Sequence, residues 1–180
     1  VDTAIDNATL LSRLLEYEAL ALHHQPDSGK DAANRWDGVA FSLQQHKLCV
    51  DVALIDEIIP PPDLTPVPGS AAWLMGLTNV RGSLVTMIDL RMFLDQERTP
   101  IGSKSRVLVC SSENQHIGLL VDEILGQRHF DLTTASKTDR EQWQTTGRYV
   151  SMVYHLDDSD WGVFDLVLLL QDPDFLDGAA

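Results

Sequence analysis

The chain has 180 residues and a formal net charge of −14, from 27 acidic and 13 basic residues. This length suffices for one large domain or two small ones with a buried core. The charge disfavours nucleic acid and anionic membrane, whose phosphates repel an acidic surface, and no run of Lys and Arg creates a local basic patch.

No apolar run approaches the roughly 18 residues that cross a bilayer. No basic segment followed by an apolar core marks a secretory leader, so the expected compartment is the cytoplasm. Cys49 and Cys110 are far apart and form no CxxC, and are expected as buried, reduced thiols.

Residues 3–24 read as a helix, with Leu10, Leu14 and Tyr17 at helical spacing beside Leu11 and Leu15. Pro26 lies just beyond its end, and residues 25–35 read as a polar linker. From Trp36 the period becomes two. Val39, Phe41 and Leu43, then Leu48, Val50, Val52 and Leu54, predict a hairpin with one buried face and a turn at Gln45-His46. Ile55-Asp56-Glu57-Ile58-Ile59 follows. Pro60, Pro61 and Pro62 cannot donate to a central ladder and predict an edge or extended segment. Ala71 to Met75 reads as one helical turn.

The segment from Gly76 to Leu94 contains two strand-like runs, Leu77–Val80 and Leu84–Ile88, joined at Arg81-Gly82-Ser83. Gly82 marks the turn because glycine takes positive φ without steric cost. Asp89 is placed to cap a short helix over Leu90–Leu94 by accepting its free N–H groups. Strands are then expected over Val107–Cys110 and Ile117–Val121, with a turn at Glu113-Asn114. Residues 130–147 read as a polar loop, helical over 139–144. Strands follow over Tyr149–Leu156 and Trp161–Phe164, with a turn from Asp157 to Asp160. Asp172 to Asp177 reads as a solvated helix end.

Two motifs recur. Ile55-Asp56-Glu57-Ile58-Ile59 is echoed by Val121-Asp122-Glu123-Ile124-Leu125, and the Ile88-Asp89-Leu90 frame by Phe164-Asp165-Leu166. The chain thus contains a degenerate two-fold repeat, about 36–98 and 105–170. Each half is a hairpin, an acidic link, an extended segment, a second hairpin and a capped helix. The predicted fold is mainly β: two packed five-stranded β-barrel subdomains with short helices and an N-terminal helix. The expected division is an N-terminal helix and linker at 1–35, the repeat-bearing domain at 36–172 and an acidic tail at 173–180.

Catalytic signals are lacking. The six histidines form no HxxxH or HExxH pattern, and there is no GxSxG, P-loop or GxGxxG. No catalytic residue, metal or cofactor is expected. Asp56-Glu57 and Asp122-Glu123 read as a structural link at the start of a helical turn, because they repeat in both halves. Arg81 is different. It sits in a turn between two strands that must be largely buried, and arginine's five fixed donors favour protein interfaces. Glu57 ends the other strand system of the same half, which makes it the candidate ion-pair partner.

The segment Gly76-Leu77-Thr78-Asn79-Val80-Arg81-Gly82, followed by an apolar strand and Asp89-Leu90, resembles the signature of the CheW-like family of bacterial chemosensory adaptors. The Ile55-Asp56-Glu57-Ile58 link, the first hairpin and Gly118-Leu119-Leu120-Val121-Asp122 also match, and the resemblance spans about residues 36–172. Trp36, the N-terminal extension and Pro66-Val67-Pro68-Gly69 with Trp73 look closer to the adaptors of type IV pilus twitching motility. Ile55 stands where valine is usual, and Met87 interrupts a strand that often carries proline.

The resemblance implies two five-stranded barrels with a core between them and no catalysis. It also implies two partners: a chemosensory histidine kinase, through its CheA-like regulatory domain, and the cytoplasmic signalling tip of a methyl-accepting chemoreceptor. The adaptor is then cytoplasmic and joins membrane-bound arrays through these partners, without nucleic acid and without inserting in the membrane. The receptor-binding candidates carried over by the motif are Arg81 and Glu57, with Asn79, Gly82, Ile55 and Ile58 beside them. A chemotaxis adaptor for flagellar motility and the regulatory domain of a chemosensory kinase remain alternative readings.

Overall fold

The structure is a computed structural model and describes residues 34–112, 115–137 and 140–178. The expected helix over 3–24, most of the linker after it and the turn at Glu113-Asn114 lie outside the described residues.

The first half begins with a hairpin, β1 (Arg35–Leu43) and β2 (His46–Asp51). Its turn is Gln44-Gln45, one residue earlier than the pattern suggests, with Gln44 at φ +53°. β2 stops at Asp51, whose carboxylate accepts from Ala53 N at 2.8 Å and starts a 3-10 turn over Val52–Leu54 where the alternation alone predicts more strand. β3 (Glu57–Ile59) follows, then β4 (Leu74–Val80), β5 (Ser83–Asp89) and α1 (Leu90–Asp95). The helical turn expected over Ala71–Met75 is a single tight turn, Leu74 N to Ala71 O at 3.0 Å, because Leu74 already pairs with Ile88.

The second half contains β6 (Arg106–Ser112), β7 (Gln115–Val121), β8 (Glu123–Asp131), β9 (Ser136–Lys137), β10 (Val150–Leu156), β11 (Ser159–Phe164), α2 (Leu166–Leu170) and α3 (Pro173–Gly178). The acidic links do not begin helical turns. Glu57 and Glu123 each start a strand. Asp56 and Asp122 fasten the links to the neighbouring hairpins: Asp56 accepts from Ser111 Oγ, and Asp122 from Gln44 N at 2.6 Å.

Two sheets result, ordered β8-β1-β2-β11-β10-β9 and β3-β6-β7-β5-β4. They do not coincide with the halves 36–98 and 105–170. Each sheet takes one hairpin from one half, and from the other half a third strand and a second hairpin. Replacing each strand of β8-β1-β2-β11-β10 by its counterpart in the other half yields β3-β6-β7-β5-β4. The two-fold repeat is therefore real in three dimensions, with exchanged hairpins. Both parallel pairings, β2 with β11 and β7 with β5, fall at corresponding places. So do the bulges at Leu74/Gly76 and Val150/Met152. Asp89 and Asp165 cap α1 and α2 identically, accepting from Met92 N at 3.1 Å and Leu168 N at 2.9 Å.

Each sheet buries both faces, which corrects the expectation of one buried face per hairpin. On β6, Leu108 and Cys110 join a large cluster with Phe41, Leu48 and Val50, whereas Val107 and Val109 join Val85, Met87 and Leu120. On β2, Leu48 and Val50 face the large cluster, while Cys49 joins Ala40, Phe130, Tyr154 and Trp161. One core is shared between the sheets and each sheet has a small core of its own.

The five-stranded sheet curls so that its edges meet. The chain after β3 returns along β4, where Thr65 and Leu77 exchange two backbone hydrogen bonds of 2.8 Å. The other sheet repeats this device with β9, which follows β8 and pairs with β10, so it has six strands where five were expected.

The acidic C-terminus is docked through Asp172 and Phe175, while Asp174 and Asp177 stay exposed as a solvated helix end would. Phe175 stacks on Trp73 with centroids 5.3 Å apart, and buried Asp172 accepts from Tyr149 Oη at 2.7 Å and pairs with Arg148 at 2.9 Å. An aromatic and two partners for one carboxylate outweigh the solvation of the flanking charges.

Candidate functional site

Val80 and Ser83 face each other across the β4–β5 hairpin, leaving a two-residue loop of Arg81 and Gly82. Both are left-handed, at φ +50° and +93°. This is the loop geometry whose twist matches a hairpin, and it normally takes Asn-Gly or Asp-Gly. Asn79 holds it, its Oδ1 accepting from Gly82 N at 2.9 Å. A left-handed arginine costs about 1–2 kcal/mol relative to ordinary backbone, so local propensity does not explain why an arginine stands there.

Its side chain does. Arg81 Nη2 lies 2.9 Å from Glu57 Oε1. Glu57 is on β3, one edge of the five-stranded sheet, and Arg81 adjoins β4, the opposite edge. The ion pair therefore spans the seam where the curled sheet closes. The Arg81 side chain is 81% exposed and that of Glu57 only 23%. Glu57 is half-sunk and positioned by the Asp56 anchor, while the guanidinium keeps donors facing solvent.

The other predicted residues divide. Asn79 and Gly82 are exposed parts of the turn. Ile58 projects outward from β3 and is exposed, whereas Ile55 packs against the large core. Leu84 escaped the sequence reading. It pairs with Asn79 immediately after the turn and is 63% exposed. The alternation that sends Val85 and Met87 inward marks Leu84 as outward, a signal hidden by the uniformly apolar run.

The equivalent place in the other sheet differs. Its turn is Asp157-Asp158, at φ +51° and +55°, and Glu123 pairs instead with Lys104 at 3.2 Å. The arginine-bearing turn occurs once.

Burial pushes the Cys49 thiol up strongly and the Cys110 thiol up to about 12, so neither supplies a thiolate. Both cysteines are free. The pairs His129–Asp37, at 2.5 Å, and His155–Asp160, at 2.9 Å, are exposed, and no hydrogen bond among the described residues joins either histidine to a hydroxyl or thiol. No group of three or more His, Cys, Asp or Glu among the described residues is placed to hold a metal ion, and no helix there is long and apolar enough to cross a membrane. The arrangement is one cation in a rigid turn, flanked by outward apolar side chains.

Residues 37–174 match the family model of the CheW-like domain, and the chain belongs to that family. It is 31% identical over 150 residues to "Protein PilI" of Pseudomonas aeruginosa, covering 83% of this chain and 84% of that protein. It is 29% identical over 129 residues to "Chemotaxis protein CheW" of Thermotoga maritima, covering 67% and 85% respectively. The solved structure of the scaffolding protein TtCheW from Thermoanaerobacter tengcongensis has a TM-score of 0.66 at 21% identity, over 82% of this chain and 91% of that one. That likeness is one of fold. Of these names, that of the Thermotoga maritima protein describes chemotaxis and that of TtCheW describes scaffolding.

Proposed function

We propose that this chain is a non-catalytic adaptor that couples the signalling tip of a methyl-accepting chemoreceptor to the CheA-like regulatory domain of a chemosensory histidine kinase, in the control of type IV pilus twitching motility. The supporting observation is the single exposed Arg81 turn, braced by Glu57 across the sheet seam in a chain of the CheW-like family. An exposed arginine on a surface that also carries exposed apolar side chains suits an interface hot spot. Ile58 and Leu84 supply apolar surface near it, and Asn79 and Gly82 fix the turn's shape. Ile55 supports β3 from the core side. The adaptor works in the cytoplasm, reaching membrane-bound arrays through its partners.

Sedimentation with a receptor signalling fragment and the kinase tests the coupling. Kinase should pellet with receptor only when the full chain is added. Gene disruption tests the pathway: twitching zones should disappear while swimming persists. The similarity to a chemotaxis protein over 67% of the chain favours the flagellar reading as second choice, and lost swimming with intact twitching would select it.

A further inference from the structure

The aim of Arg81 depends on Glu57, and the place of Glu57 depends on β3. That strand is three residues long and lies at an edge, paired only with β6. Beyond it Pro60, Pro61 and Pro62 carry no N–H to extend the ladder. The end that carries Glu57 is tied down by the residue before it. Asp56 N donates to Val109 O at 2.9 Å, and the Asp56 carboxylate accepts from Ser111 Oγ, further along β6. Ser111 is itself fixed by pairing with His116 of β7.

The other half holds its acidic link differently. Asp122 accepts from Gln44 N, a backbone donor that no side-chain substitution removes. Among the described residues, a link aspartate held by a side-chain hydroxyl occurs only in the half that carries the arginine turn.

We propose that Ser111 is a positioning residue for the Arg81 site. Its hydroxyl fixes Asp56, Asp56 leads into β3, and Glu57 at the first position of β3 then meets the guanidinium at 2.9 Å. The proposal rests on the assignment of Arg81 to the receptor site. Glu57 is the one ion-pair partner of Arg81 among the described residues, and the Arg81 side chain is otherwise mostly in solvent. A long side chain free in solvent samples many rotamers, so a displaced carboxylate leaves the guanidinium unaimed and its ordering is then charged to binding. Ser111 and Asp56 are both exposed. Ser111→Ala therefore leaves no polar atom buried and unpaired, and the fold tolerates it.

Two readouts test this. In the receptor-free, ¹⁵N-labelled full chain, the Arg81 Nε–H signal is assigned by NMR through Arg81→Lys. Ser111→Ala should move that signal toward the position it takes in Glu57→Gln. Ser111→Thr keeps the hydroxyl and should leave it in place. In calorimetric titration with a chemoreceptor signalling fragment, Ser111→Ala should raise the dissociation constant roughly three- to tenfold, and Ser111→Thr should restore it. Added to Arg81→Ala, Ser111→Ala should weaken binding no further, because the two residues act through one contact. An unmoved Arg81 signal in Ser111→Ala overturns the proposal. So does unchanged binding in Ser111→Ala where Arg81→Ala weakens it, and so does a binding loss equal with and without Arg81, the mark of a merely structural serine. A moved signal with binding indifferent to Arg81→Ala upholds the positioning of Arg81 by Ser111 and overturns the receptor-site reading instead.

Discussion

Glu57 and Arg81 stand on opposite edges of one five-stranded sheet, yet their side chains meet at 2.9 Å. The pair exists because the sheet curls on itself. The arginine points at the seam because its backbone is left-handed, and the backbone is left-handed because a two-residue hairpin loop requires it.

The turn itself is the first place to perturb. Gly82 sits at φ +93° with open space where a Cβ would go, so Gly82→Ala meets backbone strain and no clash. It should destabilise the fold by about 1 kcal/mol. Asn79→Ala removes the side-chain acceptor for Gly82 N and should cost about 0.5–1.5 kcal/mol. Urea unfolding followed by circular dichroism measures both. Both variants should also weaken receptor binding, because they loosen the platform that aims Arg81.

The exchanged hairpins make a second prediction. Residues 96–105 connect the two halves, and Gly102 is exposed in that connection. A protease site inserted at Gly102 and then cut should leave a particle of native size that unfolds in one transition, because each sheet needs strands of both halves. Two separating fragments, or two transitions, would show that the halves are independent subdomains.

His46 gives a pH dependence. Burial against Trp143 pulls its pKa below the usual histidine value, and the Asp95 carboxylate opposes this only in part. The unfolded chain therefore takes up this proton first. The contribution of neutral His46 is complete above about pH 6.5 and is lost as pH falls below that value toward the lowered folded-state pKa. Unfolding free energies at pH 7.5 and pH 5.5 should differ more for the native chain than for His46→Phe. Equal differences would mean that His46 titrates as if exposed.

Much of this architecture is legible in the residues. Asp89 and Asp165 announce their helices, the repeated acidic link announces the two-fold design, and the Arg81-Gly82 turn stands out as a glycine between apolar runs. The exchange of hairpins is not legible, because alternation marks a strand's faces but not the neighbour it pairs with. The second buried face of each sheet is hidden for the same reason. Val107 and Leu108 look alike in sequence and enter different cores. β8 was concealed by Gln127-Arg128-His129, polar residues on an edge strand that begins with the second acidic link. The docking of α3 depends on Trp73, about a hundred residues away, and nothing local in Asp172 to Asp177 signals it. Within the site, Glu57 was found because it shares a half with Arg81. Leu84 was missed because exposure at a strand end depends on how the sheet closes.

Calorimetric titration of a chemoreceptor signalling fragment into the full chain and into Arg81→Ala is the most direct measurement. Arg81 is mostly exposed, so the substitution should change stability by no more than about 1 kcal/mol and leave the circular dichroism native. The receptor dissociation constant should rise by roughly five- to 150-fold, corresponding to about 1–3 kcal/mol for an interface arginine. An unchanged dissociation constant in a natively folded variant would contradict the assignment of Arg81 to the receptor site.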